Sequence, residues 1–159
     1  MLSKLKLKNK KKTIFLTGGS GFIGSNIINY LKQKNYVLII LSRKKKKSKD
    51  KNIFYLHSDL NNFDKSILKK CEYLMHFATT DTSNFDADFE NTYKTNVIDS
   101  IELIDSAIKN GVKKILIAGS CYEYGKTGEI FKTLSTNAKL LPIGYYAYSK
   151  ASFYLQLQN

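Results

Sequence analysis

The chain has 159 residues, one proline, 43% hydrophobic residues and a formal net charge of +13, which is the length and composition of one folded domain of ordinary size. No apolar run approaches the roughly 18 residues needed to span a bilayer, and lysines rather than an apolar core precede the first hydrophobic stretch, so neither a membrane segment nor a signal peptide is predicted and a cytoplasmic chain is expected. Cys71 and Cys121 are far apart and lack ligand spacing, which argues against a disulfide scaffold or a metal site.

The charge is concentrated in two segments. Lys4, Lys6, Lys8, Lys10, Lys11 and Lys12 form a basic start, and Arg43, Lys44, Lys45, Lys46, Lys47, Lys49 and Lys51 a basic loop; together they hold half of the 26 basic residues. Neither contains interleaved aromatic residues, so solvated lysine runs with loose adhesion to polyanions are expected, and specific nucleic-acid binding is not. The organisation read from this is a basic tail over residues 1–11 followed by a domain over 12–159.

In chain order, a strand is predicted over 12–17, followed by Thr17-Gly18-Gly19-Ser20-Gly21-Phe22-Ile23-Gly24, which holds four of the nine glycines. A helix over 22–34 follows, with Ile23, Ile27 and Leu31 as an apolar stripe. Small residues between a strand and a helix let the backbone turn tightly and approach a pyrophosphate, while amides at the helix start attract its charge. A dinucleotide-binding loop is the reading. The next strand, 36–42, ends in Ser42-Arg43, where many such domains place an acidic residue on the ribose 2′-hydroxyl; a hydroxyl and a guanidinium suit a 2′-phosphate instead. NADP is therefore favoured, with NAD as the alternative.

Further strands are predicted over 53–58, 72–77 and 113–119, and helices over 61–70, 89–110 and 145–158. Phe89, Tyr93, Val97, Ile101, Ile104 and Ile108 form the apolar face of the 89–110 helix, which Gly111 closes. Alternating strands and helices with right-handed crossovers imply a doubly wound parallel α/β sheet of order 3-2-1-4-5, a Rossmann arrangement.

Tyr146-Ala147-Tyr148-Ser149-Lys150 carries candidate chemistry. Residues four apart share a helical face, so Lys150 stands beside the Tyr146 phenol and can favour its ionised form, making Tyr146 a general acid or base. Tyr30 with Lys34 and Tyr122 with Lys126 have the same spacing. Only Tyr146 stands at a helix start after the fifth strand. Cys121, His57 and His76 lack activating or ligating partners and read as packing residues, and Asp81 and Asp86 fall in the loop after the fourth strand.

Taken together, these motifs resemble the extended short-chain dehydrogenase/reductases, the NAD-dependent epimerase/dehydratase family. Thr17 to Gly24 resembles that family's glycine loop, Ser58-Asp59-Leu60 its adenine-contacting segment, and His76-Phe77-Ala78-Thr79 its fourth strand. Asn96 resembles the family's Asn-Val helix position, Ser120 in Gly119-Ser120-Cys121-Tyr122-Glu123-Tyr124-Gly125 its serine loop, and Tyr146 with Ser149-Lys150 its Tyr-x-x-Ser-Lys. The resemblance implies that Thr17, Gly18, Gly21, Phe22, Ile23, Gly24, Ser42, Arg43, Asp59, Leu60, Phe77, Ala78, Thr79 and Asn96 bind the cofactor, together with Tyr146 and Lys150. It also implies that Ser120, Tyr146 and Lys150 are catalytic in hydride transfer at a sugar carbon. Ser120-Cys121-Tyr122 stands where nucleotide-sugar dehydratases carry Thr-Asp-Glu, with Glu123 one residue out of register, so an epimerase or keto-reductase is implied.

Relatives continue past the catalytic helix into a part that holds the nucleotide sugar, so the chain reads as the cofactor-binding portion, with a nucleotide-sugar substrate expected once a C-terminal half completes it. The fifth strand then forms an apolar edge open to a second copy or a complementary chain. Two alternatives are a catalytically silent nucleotide-binding or interaction fragment and a basic nucleic-acid-binding module.

Overall fold

The computed structural model describes residues 12–80, 82 and 88–158. The predicted basic tail and the two loop carboxylates, Asp81 and Asp86, lie outside these residues. The chain separates into two compact units: one runs to Ala78 and includes Glu102–Ile117, and the other comprises Thr79–Ile101 and Ala118 onward.

The first unit is built on near-continuous apolar runs, the pattern of strands buried on both faces of a parallel sheet. They form β1 (Lys12–Thr17), β2 (Tyr36–Ser42), β3 (Ile53–His57), β4 (Tyr73–His76) and β5 (Lys114–Ile117), all parallel in the predicted order β3-β2-β1-β4-β5. Phe15 aligns with Ile39 on one side and Leu74 on the other. Strand alternation sends Ile14 and Leu16 to one face, where they join Leu38, Ile40 and Ile53 beneath Ile28 and Leu31 of helix α1 (Phe22–Lys32). Burying Ile28 and Leu31 contributes about 2 kcal/mol each. Phe15 faces the other way and stacks on Phe63, with ring centroids 5.1 Å apart. The buried face of α1 comprises Gly24, Ile28 and Leu31, with Ile27 at its margin, whereas Ile23, predicted to start the stripe, is 51% exposed because the first turn packs through Gly24 instead.

The segment predicted as a helix over 61–70 is a 3-10 turn, Lys65–Lys70, capped by Asp64, whose carboxylate accepts the Ser66 N–H at 2.9 Å. Phe63 is drawn into the sheet just before it, which delays the start. The long helix predicted over 89–110 is interrupted: α2 (Phe89–Tyr93) passes through a π turn, Lys94–Ile98, into α3 (Asp99–Lys109). A π turn brings residues five apart together. The Ser100 hydroxyl accordingly donates to the Thr95 carbonyl at 2.8 Å, and the Lys94 ammonium donates to Asp99 at 2.8 Å. The added residue rotates the faces, leaving Phe89, Ile98 and Ile108 more than half exposed while Thr92, Asn96 and Ser100 are buried. Gly111, at φ 81°, closes α3 as expected: its N–H bonds to the Ile108 carbonyl and that of Val112 to the Ala107 carbonyl.

The second unit also contains a 3-10 turn, Cys121–Glu123, and two helices, α4 (Lys126–Ile130) and α5 (Tyr145–Gln156). The chain between β5 and α5 had no predicted structure. Gly125 there adopts φ 45°, and a Cβ on it would lie 2.0 Å from the Leu141 carbonyl oxygen.

Candidate functional site

The predicted site residues fall into two groups, one in each unit. In the first unit, the glycine loop is shaped by close backbone approach. Gly18 adopts φ 71°, and a Cβ on it would lie 2.4 Å from the carbonyl carbon of Phe77 and 2.5 Å from the amide nitrogen of Ala78. A Cβ on Gly24 would meet the Gly18 carbonyl oxygen at 2.3 Å. Only glycine allows both contacts. Thr17 is fully buried: its hydroxyl accepts the Ala78 N–H at 3.2 Å and shares a 2.7 Å hydrogen bond with His76 Nδ1. Gly21 stands at the N-cap of α1 with no side chain capping the helix, and Phe22 is 86% exposed. The loop thus offers bare backbone and open helix amides, the features an anionic pyrophosphate requires.

Also in this unit, the Ser42 hydroxyl donates to the Lys44 carbonyl at 2.8 Å and folds the start of the basic loop back on itself. Arg43 is exposed, and its carbonyl lies 3.0 Å from His57 Nε2. Asp59 is exposed and Leu60 buried, with the Leu60 carbonyl accepting a hydrogen bond from the Lys65 ammonium. Burial pushes the Cys71 thiol up to about 12, which keeps it protonated.

The second unit gathers Ser120, Tyr146 and Lys150 together with Thr79 and Asn96. Helix α5 begins after Gly144, which takes φ 85° and has no capping side chain. Tyr146 and Lys150, one turn apart, are only 8% and 6% exposed. Tyr30, which shares their spacing with Lys34, is 59% exposed, and Tyr122, paired in sequence with Lys126, is 54% exposed. Burial separates the three pairs. The Lys150 ammonium donates to the Ala118 carbonyl at 2.8 Å and lies 5.5 Å from the Phe153 ring centroid. Burial holds its pKa below the ordinary lysine value, and the Glu123 carboxylate opposes that shift.

Ser120 caps the Cys121–Glu123 turn, its hydroxyl oxygen accepting the Tyr122 N–H at 3.2 Å. The Tyr122 ring meets Tyr146 edge to face at a centroid distance of 6.3 Å. A cavity of about 340 Å³ opens beside this turn, lined by Cys121, Tyr122, Gly125, Gly128, Glu129 and Ile143. Asn96 is fully engaged: its carbonyl oxygen accepts from the Thr79 hydroxyl at 3.0 Å and the Thr80 N–H at 2.9 Å, and its amide donates to the Thr80 carbonyl and the Ser149 hydroxyl. Ser149 in turn donates to the Tyr146 carbonyl at 2.7 Å. Asn96 therefore ties the Thr79–Thr80 segment to the helix that carries Tyr146 and Lys150.

Two features escaped the sequence reading. Glu123 is buried and accepts the Ser120 N–H at 2.7 Å, a contact signalled by the capping-box spacing of Ser120 and Glu123. The second is the π turn that buries Asn96; no local pattern announces it. Among the described residues there is no acidic, histidine or cysteine cluster able to hold a metal, and no helix is long and apolar enough to cross a membrane.

Comparison with known proteins matches residues 14–159 to the model of the NAD dependent epimerase/dehydratase family. A Staphylococcus aureus epimerase family protein is 23% identical over 84% of this chain and 45% of its own length. Among solved structures, a UDP-N-acetylglucosamine 4-epimerase from Methanobrevibacter ruminantium, in complex with UDP-N-acetylmuramic acid, is 28% identical. It superposes with a TM-score of 0.82, over 94% of this chain and 50% of that one. The Bordetella bronchiseptica enzyme WbmG, in complex with NAD and UDP, shares the fold at a TM-score of 0.76 and 20% identity, over 91% of this chain and 48% of that one. The chain spans between 34% and 50% of the length of the curated relatives it matches.

Proposed function

The chain belongs to the NAD dependent epimerase/dehydratase family, and from that premise we propose that it is the cofactor-binding portion, residues 12–159, of a nucleotide-sugar epimerase or keto-reductase. The carrying observation is the burial of Tyr146 and Lys150 on one turn of α5, with Lys150 fastened to Ala118 two residues before Ser120. A nicotinamide dinucleotide fits the first unit, because Gly18 and Gly24 let the loop close tightly on its own backbone and leave Gly21 bare at the uncapped start of α1. Thr17, Gly18, Gly21, Phe22, Ile23 and Gly24 would hold its pyrophosphate, Asp59, Leu60, Phe77 and Ala78 its remaining faces, and Ser42 with Arg43 a 2′-phosphate. When bound, the cofactor would supply a hydride acceptor and donor for a sugar carbon.

The chain's own residues handle the proton. Tyr146 passes a proton to or from the sugar hydroxyl whose carbon exchanges hydride. The Ser120 oxygen already accepts the Tyr122 N–H, so its own proton remains to be donated to that same sugar oxygen. Lys150 provides positive charge one turn from the phenol, with its ammonium directed by the Ala118 carbonyl. Asn96 acts through Thr79, Thr80 and Ser149, keeping the loop and α5 in register. Leu116, 52% exposed on edge strand β5, supports a second copy or a complementary polypeptide segment as the partner that covers this edge.

Titration with NADPH and NADH tests the reading. NADPH should bind more tightly, and Arg43→Ala should weaken NADPH alone, by roughly tenfold for a lost charge-assisted contact. Equal affinities would remove the NADP preference, and binding of neither would remove the cofactor reading itself.

A further inference from the structure

Among the buried ionisable side chains of the second unit, Glu123 has no part in the chemistry assigned above. It is 7% exposed, and a carboxylate so removed from water is costly unless it is hydrogen-bonded and its charge compensated. Its Oε1 accepts the Ser120 N–H at 2.7 Å, while the Ser120 hydroxyl reciprocates by capping the same turn at the Tyr122 N–H. The carboxylate also lies against Gly119, where a Cβ would stand 3.4 Å from Oε1. The carboxylate thus lies beside the chain between Ala118, which holds the Lys150 ammonium, and Ser120.

We infer that Glu123 is a positioning residue: its buried carboxylate fixes the Ser120 backbone and supplies the compensating charge for Lys150, so that one side chain sets both the serine and the lysine of the site. The inference rests on the roles of Ser120 and Lys150 stated under Proposed function. In this unit the Lys150 ammonium bonds the Ala118 carbonyl and lies near the Phe153 ring, with Tyr146 one turn earlier on the same helix, while the Glu123 carboxylate, held at Ser120 two residues past Ala118, adds a favourable charge. Burial disfavours the ammonium and Glu123 favours it, so a neutral replacement at 123 should lower the pH at which Lys150 loses its proton. The backbone contact and the charge separate by substitution. Gln keeps an acceptor of nearly the same shape without charge, and Ala removes both.

The test uses the full chain with carbon-labelled lysine, following the Lys150 side-chain resonance against pH, with Lys150→Met to assign it and amide exchange to follow the Ser120 N–H. Glu123→Gln should move the Lys150 midpoint to lower pH. Glu123→Ala should do the same and also speed Ser120 amide exchange by about tenfold, as expected for loss of a hydrogen bond to a charged group. An unchanged midpoint in Glu123→Gln overturns the inference, even if exchange quickens in Glu123→Ala, since Glu123 would then be a loop cap and nothing more. Unchanged Ser120 exchange in Glu123→Ala overturns it as well. Neither readout involves a dinucleotide or a sugar, so failure here is distinguishable from failure of the functional reading.

Discussion

Each of the two units has an interior of different chemistry. Buried residues of the sheet unit are almost all apolar, among them Ile14, Phe15, Leu16, Leu38, Ile39, Ile40 and Leu74, and its buried polar side chains are Thr13, Thr17 and His76. The other unit buries Thr92, Asn96, Asp99, Ser100, Glu123, Thr127, Ser149 and Lys150 around a small apolar set that includes Val97, Ala147 and Phe153. Apolar burial is non-directional and tolerates many side-chain exchanges of similar volume. A buried polar network is directional, and removing one partner leaves others unsatisfied. The sheet unit therefore supplies a scaffold whose precision lies in the glycine backbone, whereas the second unit's precision lies in side chains.

This contrast can be broken most forcefully at Gly18. Gly18→Ala places a methyl 2.4 Å from backbone at a φ of 71°, and a loss of about 4 kcal/mol in urea unfolding is expected because neither the backbone nor the conformation can yield cheaply. A loss below about 1 kcal/mol would show that the loop relaxes. Next in size, Asn96→Leu keeps the branching and heavy-atom number but leaves the Thr79 hydroxyl, both Thr80 backbone groups and the Ser149 hydroxyl without the Asn96 partner. About 2–3 kcal/mol should be lost in the same assay, and a neutral result would mean that side-chain direction does not govern the second unit.

The smallest effect is one of pH. Lys150 has its pKa lowered by burial from the ordinary 10.5. Between its folded midpoint and 10.5, the unfolded chain binds more protons at this position, so this contribution to stability rises with pH across that window and is constant below it. The stability of the wild type relative to Lys150→Met should therefore grow through the alkaline range, as measured by urea unfolding at a series of pH values. A flat difference would mean that the ammonium is solvated and that polar burial in the second unit is less costly than its geometry implies.

Most of the scaffold was legible because its signals are local. The apolar runs of β1 and β2, the glycines from Gly18 to Gly24 and the Gly111 cap each carry their meaning within a few residues, and right-handed crossovers convert the strand sequence into the observed order. The helix predictions weakened where tertiary packing competed with periodicity. Phe63 is drawn to Phe15 and leaves only a 3-10 turn over Lys65–Lys70, and the π turn rotates Phe89 and Ile108 outward while burying Asn96.

By itself, then, the sequence determined the parallel sheet, its strand order and the glycine loop, because periodicity and backbone permissiveness are properties of short segments. Only the tertiary structure decided which of three equally spaced tyrosine-lysine pairs is buried, that Asn96 spends its amide on Thr79, Thr80 and Ser149, and that Glu123 stands under Ser120. Burial and hydrogen-bond partnership are set by residues distant in sequence. Position and the Ser149-Lys150 pattern single out Tyr146 in the sequence, but its burial together with Lys150, against the exposure of Tyr30 and Lys34, arises only when the fold removes one pair from water and leaves the other in it.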